Sequence, residues 1–240
     1  MDISRHVDFV DPSMMGNKSI SIIGVGATGS HAALYLSQLG FGNEAGGQGK
    51  IKLFDDDVVA EHNLPNQSFL REHIDQKKVH AMNDMIERKC GFKVSAYPIR
   101  VENQPIVNSE YVMLLVDSMA SRKQIIQDLL AGNGVTELVI ETRMGFEGGM
   151  IYAFNPQVPE EVARWIKTWY PDDQAVTSAC GTSQSIGITA ANISSVASAM
   201  VVQHFDWKYG NKYLKGEGLR DAIPFETRFC LYPLDVMTTA

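Results

Sequence analysis

Ser19-Ile20-Ser21-Ile22-Ile23-Gly24-Val25-Gly26-Ala27-Thr28-Gly29 is the stretch on which the fold turns. The run 19–23 is short, mostly apolar and ends in glycine, which reads as a buried strand. Residues 27–39 then space Ala32, Tyr35, Leu36 and Leu39 as one face of a helix, and Gly40 stops it. Between the two, Gly24, Gly26 and Gly29 form GxGxxG in the setting where the pattern has a mechanism. The first glycine allows a tight turn, the second lets the backbone approach a phosphate, and the third lets helix and strand pack closely. The start of the helix then aims its free amides and its positive dipole end at an anion.

Working outward, residues 40–50 hold five glycines and form a long loop, and Ile51–Phe54 is a second strand that runs into Asp55, Asp56 and Asp57. Asp55 stands where a carboxylate accepts hydrogen bonds from ribose hydroxyls. The glycine-rich loop accounts for its unusual distance from Gly29. On these residues alone, NAD and ATP are equally open. Further strands are expected at 94–101 (an edge strand, given Pro98), 112–116, 137–142, 149–154 and near 228–232. Helices are expected over 75–90, 119–131, 159–169 and from 186 to about 207, with 171–184 polar and irregular. Strands alternating with helices predict one α/β domain over 1–240. It would be a Rossmann-like, mostly parallel sheet with helices on both faces and some antiparallel strands at one side.

Composition narrows the function classes. The 240 residues are 45% hydrophobic and 20% charged, enough for a sizeable core, and the formal net charge is −7. No broad basic face is implied, so nucleic acid is not an expected partner. Ile186–Phe205 is apolar but carries Ser, Thr, Asn, Gln and His, which suits a packed core or dimer-interface helix rather than a membrane span. The N-terminal residues contain no apolar signal core. Three widely spaced cysteines, Cys90, Cys180 and Cys230, make a poor disulfide framework and point to a reducing, cytoplasmic setting. With no CxxC pair, zinc is not expected.

The stretch after the second strand separates the nucleotides. It reads Asp55-Asp56-Asp57-Val58-Val59-Ala60-Glu61-His62-Asn63-Leu64-Pro65-Asn66-Gln67, with Lys78 eleven residues on and Asp117-Ser118-Met119-Ala120-Ser121-Arg122 later. A dehydrogenase has no use for such a segment. In this order the motifs resemble the ThiF/MoeB/HesA family of ubiquitin-activating-enzyme-like adenylyltransferases. The matching positions are Gly24, Gly26, Gly29, Asp55, Asp57, Val59, Asn63, Leu64, Gln67, Lys78, Asp117 and Arg122. Arg143-Met144-Gly145-Phe146-Glu147-Gly148 resembles that family's turn between two strands.

The resemblance implies ATP as co-substrate and magnesium as cofactor. Asp55 would hold the ribose, and Asp57, Asn63, Gln67 and Lys78 would line the phosphate site. Asp117 would coordinate the metal and align the attacking carboxylate. Arg5 would reach the γ-phosphate bound by the partner subunit of a homodimer, and Cys180 would be a candidate thioester nucleophile in a crossover loop. The implied acceptor is the C-terminal carboxylate of a small ubiquitin-like or sulfur-carrier protein. A peptide or tRNA-linked carboxylate, or a nucleotide-binding scaffold without chemistry, are the alternatives. Two positions depart from the family's pattern: Asn66 stands where it has arginine, and Ser118 where it has asparagine. Arg71 and Lys77 are the nearby cations that would replace the missing charge.

Overall fold

The computed structural model describes residues 18–41, 48–102, 107–145, 148–174, 186–209, 223–231 and 234–239. Arg5, Cys180, Phe146 and Glu147 lie outside them. β1 (Ile20–Ile23) enters α1 (Ala27–Gln38) and returns as β2 (Gln48–Phe54); after two 3-10 turns come α2 (Lys78–Cys90), β3 (Lys93–Tyr97) and β4 (Tyr111–Leu114). α3 (Met119–Gln124) passes directly into a π-helical stretch, Ile125–Leu130. The chain continues with β5 (Leu138–Met144), β6 (Gly148–Phe154), α4 (Pro159–Ile166), α5 (Ile186–Tyr209), β7 (Glu226–Leu231) and β8 (Leu234–Thr239).

These strands make one sheet in the order β3-β2-β1-β4-β5-β6-β7-β8. The first five are parallel, with Ile22 beside both Leu53 and Met113. β6, β7 and β8 are antiparallel. All four residues of β1 are buried, as a central strand covered on both faces requires. Ile20 and Ile22 face the layer that contains Ala32, Leu36, Met82, Ile193 and Val201 of α1, α2 and α5. Ile23 faces the other layer, with Ile125, Leu130 and Trp165.

The expected mostly parallel sheet with antiparallel strands at one side is therefore present, with local corrections: β2 begins three residues earlier than expected, at Gln48, and the 75–90 helix three residues later, at Lys78. The 94–101 strand stops at Tyr97, before Pro98, although β3 is indeed at the sheet's edge. The 159–169 helix ends at Ile166, and the 119–131 helix changes pitch at Ile125. β8 was not anticipated at all. The glycine pair after β5 has a packing reason: a Cβ at Gly148 would lie 2.2 Å from the Phe229 carbonyl oxygen, and one at Gly149 would lie 2.6 Å from Ile193 Cδ1. These two glycines let β7 and α5 close over β6. α5 buries one face against α1, where the Ser194 hydroxyl sits 2.8 Å from the Thr28 carbonyl. No helix among the described residues is long and apolar enough to cross a membrane.

Candidate active site

The carboxyl ends of β1, β2 and β4 lie side by side, the edge at which open α/β sheets bind ligands. Gly24 has φ +91, and a Cβ on it would come within 2.8 Å of the Leu115 carbonyl group. The tight turn thus also brings the loop against the segment leading to Asp117. At Gly29 a Cβ would lie 1.9 Å from the Gly24 carbonyl oxygen, so α1 seats on its loop only with glycine there. Gly26 differs: nothing lies within 4 Å of its would-be Cβ. The space above the second glycine is open, as an approaching phosphate needs.

Asp55 is tied into the loop. Its Oδ2 accepts from the Val25 amide at 2.7 Å and its Oδ1 from the Asp57 amide at 2.9 Å. Burial pushes its carboxyl above the usual carboxylate range, opposed by Lys78 and by those two amides. Each oxygen keeps a further lone pair for a sugar hydroxyl.

Lys78, the first residue of α2, is buried, and its Nζ donates to Asp57 Oδ2 at 2.8 Å. Its backbone amide donates to the Asp57 carbonyl. A lysine alone in an amphipathic pattern would be a surface residue; here the charge is withdrawn and aimed at the acidic end of β2. Asp55, Asp56 and Asp57 each offer a carboxylate oxygen within 4.8 Å of one another. Hard oxygen donors of this kind suit a divalent cation such as magnesium.

The segment between Asp57 and Lys78 folds over α1. Asn63 Oδ1 accepts from the Ala60 amide at 2.8 Å, so its side-chain oxygen shapes the first 3-10 turn. Gln67 is buried, and its Oε1 has no hydrogen-bond partner among the described residues. The Ser68 amide donates to Ser30 Oγ, and Ser68 Oγ lies 2.8 Å from His31 Nδ1. These contacts stitch the segment to the first turns of α1. Burial lowers the His31 pKa, opposed by its contact with the Asn66 backbone. The start of α5 also abuts this segment, since a Cβ at Gly187 would lie 2.9 Å from the Pro65 carbonyl oxygen.

The two nearby cations already have partners. Arg71 pairs with Glu61 at 3.3 Å, and Lys77 Nζ donates to the Asp56 carbonyl. Lys77 thus lies at the acidic end of β2, while Arg71 is held in an exposed surface pair. Ser118 has a structural role instead, because its hydroxyl accepts from the Ser121 amide as the N-cap of α3.

Asp117 lies three residues beyond β4, exposed. Arg122 does not reach toward the site. It is buried, donating to Glu141, to the Thr142 carbonyl and to the Val116 carbonyl. Glu141 is fully buried and also accepts from Arg143 Nε and from Trp165 Nε1, each at 3.1 Å. The turn after Asp117 is gripped a second time by Asp172 and Trp169, which the sequence did not single out. Burial opposes ionisation of Asp172, but the amides of Met119 and Ala120 and the Ser118 hydroxyl outweigh it and hold the carboxyl below its ordinary range.

The model of the ThiF family matches residues 10–225. The chain belongs to the ThiF family. This ThiF-family chain is 28% identical over 198 residues to the sulfur carrier protein ThiS adenylyltransferase of Escherichia coli (strain K12), covering 78% of itself and 74% of that protein. Its fold matches E. coli MccB solved with AMPCPP and MccA, with a TM-score of 0.66 at 14% identity, covering 95% of this chain and 65% of that one. PaaA is similar at a TM-score of 0.65 and 16% identity, covering 94% of this chain and 64% of that one. The chain thus spans somewhat under two thirds of the length of these structural neighbours.

Proposed function

We propose that this ThiF-family chain is an adenylyltransferase of the ubiquitin-activating type. It uses ATP to activate the C-terminal carboxylate of a small ubiquitin-like or sulfur-carrier protein. The observation that carries the reading is the withdrawn Lys78 charge beside Asp57, next to an Asp55 that is itself bound to the amide of the glycine loop. In the reaction a carboxylate oxygen attacks the α-phosphorus, the bond to the bridging oxygen breaks, and pyrophosphate leaves with that electron pair. Two anions approach each other, so fixed cations and dipoles supply the largest part of the rate.

The glycine-loop amides and the start of α1 would hold phosphate oxygens, Lys78 would face the growing charge, and Asp55 would orient the ribose. Magnesium, held by Asp117 with help from the acidic end of β2, would supply charge neutralisation and a template for the phosphates. The named activity of the ThiS-specific relative, and the presence of AMPCPP and MccA in a chain of the same fold, support this reading. The reading extends to a cytoplasmic homodimer in which Arg5 completes the neighbouring site and Cys180 takes the acyl group as a thioester.

ATP–pyrophosphate exchange tests it. Exchange that requires magnesium and a small protein ending in Gly-Gly is the expected result. Absence of exchange together with absence of adenine-nucleotide binding removes the reading. Asn66, which leaves this position without a cation, favours one second reading, a scaffold subunit that binds nucleotide without chemistry. Nucleotide binding without exchange selects it.

A further inference from the structure

The backbone flanking Asp117 is held both by a near neighbour, Arg122, and by two residues far along the chain, Trp169 and Asp172. The Asp117 side chain is exposed, yet the backbone on both sides is fixed. On one side, Arg122, anchored on Glu141, donates to the Val116 carbonyl. On the other, Asp172 accepts through Oδ1 from the Met119 amide, and through Oδ2 from the Ser118 hydroxyl at 2.9 Å and the Ala120 amide at 3.3 Å. Trp169 Nε1 donates to the Met119 carbonyl at 2.8 Å, and the Lys123 ammonium lies 4.3 Å from the centre of the Trp169 ring. The four residues 116, 118, 119 and 120 are therefore all clamped by side chains. One clamp comes from within the sheet and the other from the 168–172 segment after α4.

The two clamps differ in kind. The Glu141 group is buried, so removing it damages the core. Asp172 is exposed, and its contacts engage the free amides at the start of a short helix and the hydroxyl of its N-cap, Ser118. Asp172 therefore fixes the backbone immediately after Asp117 without being part of the core.

We propose that Asp172 is a positioning residue for Asp117: it sets the backbone of the turn from which that carboxylate meets the nucleotide and its metal. This rests on the adenylation reading above. A misplacement of about 1 Å in such a group costs on the order of 10²-fold in rate. The test is Asp172→Ala in the full-length protein, measured by pyrophosphate exchange at varied ATP and magnesium. The expected result is a drop in kcat of roughly 10- to 100-fold. The KM for ATP should change by less than about twofold because the glycine loop and Asp55 are untouched, and the magnesium requirement should rise. In an Asp117→Asn background the same change should cause no further loss, because residues acting as one unit are not additive.

Amide hydrogen exchange at Met119 and Ala120 should quicken in Asp172→Ala, a readout independent of activity. Asp172→Asn, which keeps one acceptor for the Met119 amide, should restore part of the rate; if Asp172→Ala does not fold, this variant carries the same measurements. Wild-type exchange with unchanged kcat in the variant overturns this inference alone, as does a loss that adds fully to that of Asp117→Asn. Lack of exchange in the wild type overturns the adenylation reading and this inference with it.

Discussion

Lys78 reaches Asp57 at 2.8 Å with only 8% of its side chain exposed, whereas Asp57 is 63% exposed. The cation is thus fixed by the protein while its partner stays accessible to ligand. Lys78→Met keeps the aliphatic stem and removes the charge. It should slow pyrophosphate exchange by about 10²–10³-fold, with little change in the thermal midpoint; a variant that retains exchange rules Lys78 out of the phosphate site. Asp55 makes a second prediction. Its folded-state pKa is raised, chiefly by burial, so ionised Asp55 opposes folding at neutral pH. The stability it contributes is full below its unfolded pKa and is lost as pH rises through the folded one. The charged form is the one that accepts ribose hydroxyls. Nucleotide affinity should therefore weaken on acidification at a higher pH than an ordinary aspartate would dictate. Calorimetric titration of ATP across the acid range checks this, and Asp55→Ala should abolish the dependence.

The β1–α1 unit and the Asp55 strand end could be read from the chain because their signals are local: a short apolar run, glycines at fixed offsets, an acid at a strand's end. Asp172 could not, since Pro171-Asp172-Asp173 looks like any solvated turn until the fold brings it to Met119. Glu141 offered a clue that went unused. An acid inside the apolar strand Leu138-Val139-Ile140-Glu141-Thr142 needs buried partners, because charges are almost never fully buried unpaired. Arg122 was legible as a motif position but not as one of those partners. β8 escaped because Leu234–Thr239 is short, and its residues 235–239 are exposed. Glu141 ties β5, α3 and α4 together, so Glu141→Ala would take from the buried Arg122 and Arg143 the carboxylate they share. A loss of about 3–5 kcal/mol is expected, measured by denaturant unfolding; a loss under 1 kcal/mol would show the cluster to be incidental to the fold.

Across the molecule, the ends of the strands far from the nucleotide edge carry a different kind of chemistry. His204 of α5 stacks edge-on against Tyr111 of β4, with its Nδ1 3.2 Å from the tyrosine hydroxyl, and packs beside Trp207. Burial drives its pKa down to about 4, with Lys208 adding to the shift and Glu137 opposing it. A histidine with a depressed folded pKa contributes stability that is full above its unfolded value, near 6.5, and is lost as pH falls toward about 4. The denaturant midpoint should decline over that interval, and His204→Phe should flatten the decline; an unchanged profile in the variant would assign the acid sensitivity elsewhere. The union of α1 with α5 has a consequence for biosynthesis. Thr28 and Ser194 stand 166 positions apart in the chain, so a ribosome releases the glycine loop long before the helix that covers it. Until then the apolar side of α1 lacks the cover that α5 later gives it, the kind of transiently exposed surface that is prone to aggregate. Closing so long a span also carries a large chain-entropy cost, so this contact belongs to the late stages of folding, which amide protection of α5 followed during refolding would check.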